Sequence, residues 1–230
     1  MNGIFKKVLT YCVLPIVIIA LVYFTYSSVM QPVKFNKQKD YREGIAIQRL
    51  KDIRTLEVAF KSVHNRFTAS ADTLADFYKD GRMKIVMQVG SKDDSLAVAN
   101  TERLKKTHKG ITPAQMFELY KNGESLVFSI ASDVPVKDTL FRSRTDFNAD
   151  SLKYVPFSGG APIEMSAVVK KVSGVDVPLF EAKIPYKLLL KDLDNQLRIN
   201  LDAQRKDQNR FPGLQVGSVT APNNNAGNWE

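Results

Sequence analysis

The sequence has very few of the side chains that most often hold metals or cross-link a fold. Its 230 residues include one cysteine, Cys12, and two histidines, His64 and His108. One cysteine cannot form an internal disulfide, and zinc sites are built from clustered cysteine and histidine ligands. We therefore predict no metal site and no cofactor. Because Cys12 lies inside an apolar run, we interpret it as a packing residue rather than a lipidation site.

Motifs of catalysis are also absent from the sequence. It contains no phosphate-binding loop, no dinucleotide-binding glycine pattern and no nucleophile elbow. One string, Asp146, Asn148 and Asp150, matches the first oxygen ligands of a calcium-binding loop. Such a loop next needs a glycine and later a glutamate, and the chain has Ser151 and Phe157 there. We interpret the string as a solvated turn, and we predict that the chain has no catalytic residues and is not an enzyme.

Charge is missing from one long stretch near the N-terminus. No charged residue occurs between Lys7 and Lys34, and Val8–Met30 is almost wholly apolar. A membrane-spanning helix needs ~20 such residues, so we predict a transmembrane helix over 8–30. A cleaved secretory signal has a shorter apolar core and a small-residue cleavage site, and a lipoprotein needs a cysteine just after the core. We favour a retained anchor over these two alternatives.

The anchor divides the chain into predicted regions. Pro32 should interrupt any helix that continues past the membrane. Lysines flank the apolar run almost equally, but a short head before a long domain is typical of a signal anchor. We therefore expect a single pass through an inner (cytoplasmic) membrane, with the N-terminus cytoplasmic and the folded domain periplasmic. The predicted regions are a head (1–7), a transmembrane helix (8–30), a linker (31–39), one soluble domain (40–220) and a polar tail (221–230).

Basic residues concentrate just after the apolar run. The formal net charge is +9, and residues 1–39 hold five lysines and no acid. Anionic lipid headgroups attract each nearby basic residue by ~1 kcal/mol, so we predict contact with membrane lipid. A nucleic-acid interface would need a basic, aromatic-lined face on the domain itself, and none is visible. The predicted membrane-proximal basic residues are Lys34, Lys37, Lys39 and Arg42.

An amphipathic helix is predicted beyond the linker. Asp40 and Glu43 have capping-box spacing, and the helical pattern continues to about Phe67. We interpret its apolar face as packing on the domain of the same chain, with a protein interface as the alternative. The candidate interface residues are Leu50, Ile53, Leu56, Phe60, Val63 and Phe67.

Shorter patterns complete the predicted domain. Thr112, Pro113 and Gln115 form a strong helix start. A phase switch after Pro178 indicates a β-bulge, and Pro178 and Pro185 indicate an edge strand. Strands and helices are mixed without strict alternation, so we predict an α+β fold with an antiparallel sheet. Other predicted helices are 73–80 and 189–207, and predicted strands are 83–89, 126–131, 134–141, 163–170, 175–188 and 213–220.

Two segments resemble known proteins. Ile47–Leu74 resembles the helix-then-loop segment of pilin-like proteins, in which an apolar helix leads into an α+β head. The prepilin signature is absent, because Gly3-Ile4-Phe5-Lys6 lacks the glutamate that follows the cleavage glycine. The ending FPGLQVGSVTAPNNNAGNWE resembles uncharacterised membrane-anchored proteins of Bacteroidota. These resemblances imply an α+β head and a Gram-negative envelope.

Three classes of function are compatible with these observations. We favour a non-catalytic structural or assembly subunit of an envelope complex of the secretion or gliding type, with protein partners or self-association. A membrane-tethered ligand-binding or sensor domain is the alternative, and a small-molecule ligand is compatible with it. A hydrolase with a dispersed triad would have to use His64 or His108.

Overall fold

The computed structural model describes residues 9–230, so the predicted head and Val8 lie outside the described residues. The fold is mixed α+β, and both of its described sheets are antiparallel, as predicted. The chain forms two compact units rather than one soluble domain. The second unit contains 56–67 and 72–150, and the first contains the N-terminal part through Thr55, 68–71 and 151–230.

One long helix, α1, spans Leu14–His64 after a π-helical turn at Leu9–Val13. It runs through Pro32, so the predicted linker at 31–39 and the predicted break are both wrong. A proline removes one helical hydrogen bond, and the bonds on either side are enough to keep the axis continuous. Phe35, within the predicted linker, is buried, and this packing stabilises the segment further.

The predicted capping box is also wrong, because Asp40 and Glu43 lie in the middle of α1. Both carboxylates instead pair with Lys39. The helix ends at His64, three residues before the predicted end. Asn65 follows with a φ of 56°, and its N–H donates to the Lys61 carbonyl at 2.8 Å. This left-handed residue is a common way to end a helix.

The second unit pairs a two-stranded ribbon with short helices. Its elements in order are α2 (Ala71–Asp80), β1 (Arg82–Val89), α3 (Ser95–Thr107), α4 (Pro113–Lys121), β2 (Phe128–Pro135) and α5 (Val136–Thr139). The start of α4 is confirmed, because Thr112 and Gln115 cap each other's backbone. The strand predicted at 134–141 is wrong, since β2 ends at Pro135 and α5 follows. The core of this unit includes Val89, Met116, Leu126 and Phe128.

Besides the part of α1 up to Thr55, the first unit contains a three-stranded sheet and two shorter helices among the described residues. Its elements are β3 (Glu164–Val172), β4 (Val175–Pro185), α6 (Tyr186–Leu189), α7 (Asn195–Asp207) and β5 (Gly213–Gly217). The strand order is β3-β4-β5, so β4 is central rather than an edge strand. The helix predicted over 189–207 is interrupted: Asp194 caps α7, and its side chain accepts from the Leu197 N–H.

Strand β4 tolerates two prolines because neither lies where a backbone N–H would have a partner on the neighbouring strand. Its last pair with β3 is Lys183–Glu164, and its first pair with β5 is Glu181–Gly217. The N–H of Tyr186 donates to the Pro212 carbonyl, so even-numbered residues of β4 face β5 and odd-numbered residues face β3. Pro178 faces β5 beyond the end of that strand, and Pro185 faces β3 beyond its end. The edge-strand prediction failed because each side of β4 is paired over only part of its length.

The predicted bulge is absent from β4. The β3–β4 register is continuous from Glu164–Lys183 to Val172–Val175. The apolar phase switches because neighbouring residues Leu179 and Phe180, on opposite faces of the strand, are both buried.

The last ten residues, which were predicted as a polar tail, are held on the sheet. The Gly217 N–H donates to the Ala226 carbonyl, and the Asn228 N–H donates to the Gln215 carbonyl. The terminal residue Glu230 forms an ion pair with Arg54 of α1 at 2.6 Å. The tail therefore covers the outer edge of β5, and it contributes to the fold of the first unit.

Candidate functional site

The N-terminal part of α1 is apolar and exposed. It is the one helix among the described residues that is long and apolar enough to cross a membrane, and none of its most apolar window is buried. Ile19, Leu21 and Phe24 are each more than half exposed. Such a surface is unfavourable in water, and it is compatible with a membrane anchor.

A cleft of about 540 Å³ lies beside α1 in the first unit, where the apolar run ends. One wall is Tyr23, Tyr26 and Met30, and the opposite side is the segment Asp192–Asp194 between α6 and α7. The Gln31 amide donates to Asp194 Oδ2 at 2.5 Å across the cleft. Donation from the Leu197 backbone N–H, and then from the Gln31 side-chain amide, lowers the pKa of Asp194. The cleft thus combines an aromatic wall with ionised carboxylates.

Arg42 fixes this segment against α1. Its guanidinium donates to both carboxylate oxygens of Asp192, at 2.5 and 2.8 Å, and to the Leu189 carbonyl at 3.0 Å. The guanidinium also lies 4.7 Å from the ring centre of Phe157. Donation by Arg42 lowers the pKa of Asp192 to about 2. Arg42 is only 8% exposed, so it is a packing and positioning residue rather than a free membrane-facing cation.

The four predicted basic residues therefore have different environments. Lys34 and Lys37 are exposed, and Lys34 lines the cleft. Lys39 is half-buried and lies 2.8 Å from Asp40. The sequence alone could not distinguish these residues. Lys39 pairs with the adjacent Asp40, whereas Arg42 pairs with Asp192, which lies 150 positions further along the chain. Only Lys34 and Lys37 keep the exposure that headgroup contact requires.

A buried phenol connects α1 to α6 and α7. The Tyr186 hydroxyl donates to Glu43 Oε1 at 2.5 Å and accepts from Arg205 Nη2 at 3.0 Å. Burial, together with the Glu43 carboxylate, raises the pKa of Tyr186. Sequence reasoning missed this group, because Glu43 had been interpreted as a helix cap. A phenol with a raised pKa is a poor proton donor at neutral pH, so we interpret the group as a structural link.

The candidate interface residues, five on α1 and Phe67 just beyond its end, are mostly core residues. Five of the six are buried: Leu50, Ile53, Leu56, Phe60 and Phe67. Val63 is 40% exposed, and it is the one member of the set that is available to a partner. Most of this face is therefore packed within the chain, as the packing interpretation describes, and a partner interface at Val63 stays a prediction.

The two histidines lie in unrelated surroundings within the second unit. The His64 ring is 4.3 Å from the Phe60 ring and 5.9 Å from the Phe77 ring. His108 follows the last residue of α3, and its N–H donates to the Leu104 carbonyl. Within residues 9–230 there is no group of three potential metal ligands. His108 lines a pocket together with Thr107, Glu124 and Ser125, whereas His64 lies among aromatic rings.

The calcium-like string does not form a cage of oxygen ligands. Asp146 pairs with Arg144 at 3.1 Å, and Asp150 pairs with Lys79 at 2.6 Å. The Asn148 side chain accepts from the Asp150 N–H, which is an Asx turn. The two carboxylates are thus neutralised by cationic side chains, and the turn interpretation describes the observed contacts.

Comparison with known proteins assigns no relative. No protein-family model, curated protein or solved structure matches the chain. The functional argument accordingly depends on the geometry described above.

Proposed function

We propose that the chain is a membrane-anchored, non-catalytic structural or assembly subunit of a cell-envelope complex. The observation that carries this proposal is the continuity of α1. One helix contains an exposed apolar segment long enough to cross a bilayer and a segment whose side chains form the core of the fold. The class of envelope machine, of the secretion or gliding type, comes from the resemblances alone.

A continuous helix is a stiff connection. At 1.5 Å rise per residue, a helix of this length is ~75 Å long, and a bilayer core takes up ~30 Å of it. The Arg42–Asp192 and Tyr186–Glu43 contacts then hold the rest of the first unit to the helix beyond the apolar run. A stiff, close attachment favours a subunit that must be placed accurately in an assembly over one that must reach a distant substrate.

The proposed topology puts the N-terminus in the cytoplasm and the folded units in the periplasm. Lys34 and Lys37 would then lie at the headgroup level of the outer leaflet of the inner membrane. Tyr23 and Tyr26 would lie in the aromatic belt just inside it. A C-terminal alkaline phosphatase fusion should be active, and a fluorescent protein that matures only in the cytoplasm should stay dark. The opposite pair of results would reverse the topology.

Anchoring and assembly are tested on the full chain in native membranes. Carbonate washing should leave the chain in the vesicle pellet, and its N-terminal sequence should begin before the apolar run. Native electrophoresis in mild detergent should show a defined species larger than the detergent-bound monomer. A mature chain that begins near Gln31, or a chain that is only monomeric at native expression levels, would contradict the proposal.

The cleft supports a second candidate, a membrane-tethered binding domain. It has an aromatic wall and charged groups of both signs, Lys34 and Asp192–Asp194, at the end of the apolar run. These features suit an amphiphile with a charged head. Native mass spectrometry of the detergent-purified chain should then show a bound amphiphile that Lys34→Ala removes and Lys37→Ala does not. A chain that carries no adduct before substitution would contradict this candidate.

A further inference from the structure

The two edges of the three-stranded sheet differ in how they are closed. The outer edge of β5 is covered by the chain's own tail through Gly217 and Gln215. The outer edge of β3 receives one backbone bond at its start, from the Ile163 N–H to the Lys153 carbonyl. From Met165 onwards, no backbone hydrogen bond to another described segment is formed on this side of β3. An open edge of this kind is a template for another strand.

The parity of β4 decides which groups of β3 point outward. Odd-numbered residues of β4 face β3, and they pair with even-numbered residues of β3, such as Leu179 with Val168. The backbone groups of Met165, Ala167 and Val169 therefore point away from β4. The Ile163–Lys153 bond agrees with this assignment, because Ile163 is also odd-numbered and donates outward.

The sequence of β3 is complementary to itself in one antiparallel register. If Ala167 lies opposite Ala167 of a second copy, Met165 lies opposite Val169, and the outward backbone groups pair at each of these positions. The same register places Glu164 opposite Lys170 on both sides of the two-fold axis. Shifting the register by two residues in either direction keeps the backbone pairing and separates these charges. Edge lysines normally repel a second strand, but here Lys170 of each copy would face a carboxylate.

The exposed side chains fit the same arrangement. Glu164 and Lys170 are both on the exposed face of β3. Val168 and Val169 are 39% and 61% exposed, and a second strand would cover part of each. The Lys170 ammonium donates to the Thr220 carbonyl at 3.1 Å, and its remaining donors are free to reach a carboxylate.

We propose that two copies of this chain associate through β3, around a two-fold axis at Ala167, to form one continuous six-stranded antiparallel sheet. The occupant of the edge is therefore a second copy of this chain. The closed two-fold contact uses up the open edge, so it produces a dimer rather than a filament. This deepens the proposed assembly role by naming the first partner of the subunit.

The charge pair is tested by sedimentation of the full-length chain in detergent. Glu164→Lys or Lys170→Glu alone turns both cross-strand pairs into repulsive ones, and each should weaken the dimer by about tenfold. The double variant Glu164→Lys/Lys170→Glu should restore the dimer. Lys187→Glu is the control, because it makes the same charge change at an exposed residue of α6, outside β3. A monomeric wild-type chain, or single variants that dimerise like wild type, would overturn the proposal.

The register is tested by disulfide trapping in native membranes. With Cys12→Ser as background, Ser166→Cys and Val168→Cys are placed on two differently tagged copies and co-expressed. These positions lie directly opposite each other at a non-hydrogen-bonded pair, where the two chains are closest. Oxidation should give a mixed dimer in much higher yield than either variant gives alone. Equal yields would refute the register. A chain that cross-links as expected but washes off vesicles in carbonate would refute the membrane anchor and leave the dimer intact.

Discussion

The two ends of α1 are both rich in aliphatic residues, and they have opposite surroundings. Near the N-terminal end, Ile19 and Leu21 are 69% and 61% exposed, whereas Leu50 and Ile53 further along are fully buried. The first end is apolar around its whole circumference, and the second end alternates apolar and charged positions at helical spacing. A helix that is apolar all round needs an apolar surrounding, and an amphipathic one needs a single packing partner.

The comparison also shows where polar contacts are placed. The described N-terminal residues up to Met30 have no charged side chain. The next part of α1 forms the Arg42–Asp192 and Glu43–Tyr186 links. The Gln31–Asp194 contact comes directly after the apolar run, so polar links begin where this run ends, and the first unit lies close to the proposed membrane surface.

The largest expected effect comes from charging the exposed end. Ile18→Lys together with Ile19→Lys places two charges at the centre of the proposed span, at a cost of ~5–7 kcal/mol for insertion. We expect most of the chain to be lost from the carbonate-resistant membrane pellet. Val58→Lys is the matched control, since Val58 is 49% exposed on the amphipathic end, and it should stay in the pellet. Full retention of the double variant would contradict a membrane span.

The next largest effect is expected from shortening a leucine to alanine at each end of α1. The loss in the free energy of unfolding should differ between the two ends. Leu50→Ala opens a cavity in the core, and we expect a loss of ~2–5 kcal/mol in the free energy of unfolding. Leu21→Ala should change it by less than ~0.5 kcal/mol. Denaturation of the detergent-solubilised chain can be followed by the fluorescence of Trp229, the sole tryptophan. Equal losses at the two positions would show that both ends are packed within the protein.

Removing the buried Tyr186 hydroxyl tests how much its polar links contribute to the free energy of unfolding. Tyr186→Phe deletes one donor to Glu43 and one acceptor for Arg205, and we expect a loss of ~1.5–3 kcal/mol. Tyr41→Phe is the control, because Tyr41 also lies near the fold but its side chain is 62% exposed. The same fluorescence measurement applies. An unchanged free energy of unfolding in Tyr186→Phe would show that the link is energetically neutral.

The smallest expected effect is a dependence of stability on pH. Arg42 depresses the pKa of Asp192 from 3.8 to about 2. A depressed carboxyl pKa stabilises the fold above the unfolded-state pKa, and this contribution is lost as the pH falls from ~5 towards 2. Because the Asp192 side chain is 57% exposed, solvent screening limits the contribution to ~1 kcal/mol. In Asp192→Asn, the free energy of unfolding should fall less between about pH 5 and pH 2, by this amount. An unchanged pH dependence would contradict the role given to Asp192.

Local patterns predicted much of the fold. The cap at Thr112, the strand β1 and the α+β class were predicted from nearby residues and agree with the structure. The errors occurred where a distant partner decides the outcome. Pro32 does not interrupt α1, and β4 is central despite two prolines. The site was hardest to predict, because Arg42 and Asp192 are 150 positions apart.

The sequence by itself determined the apolar run, the amphipathic period of the second end of α1 and the residues whose backbone needs a cap. These depend on side chains within one or two turns of each other. Only the tertiary structure decided that α1 is continuous, that Arg42 is buried against Asp192 and that the tail closes β5 while the edge of β3 stays open. Each of these outcomes depends on groups that are far apart in the chain, and no local spacing records which of them meet.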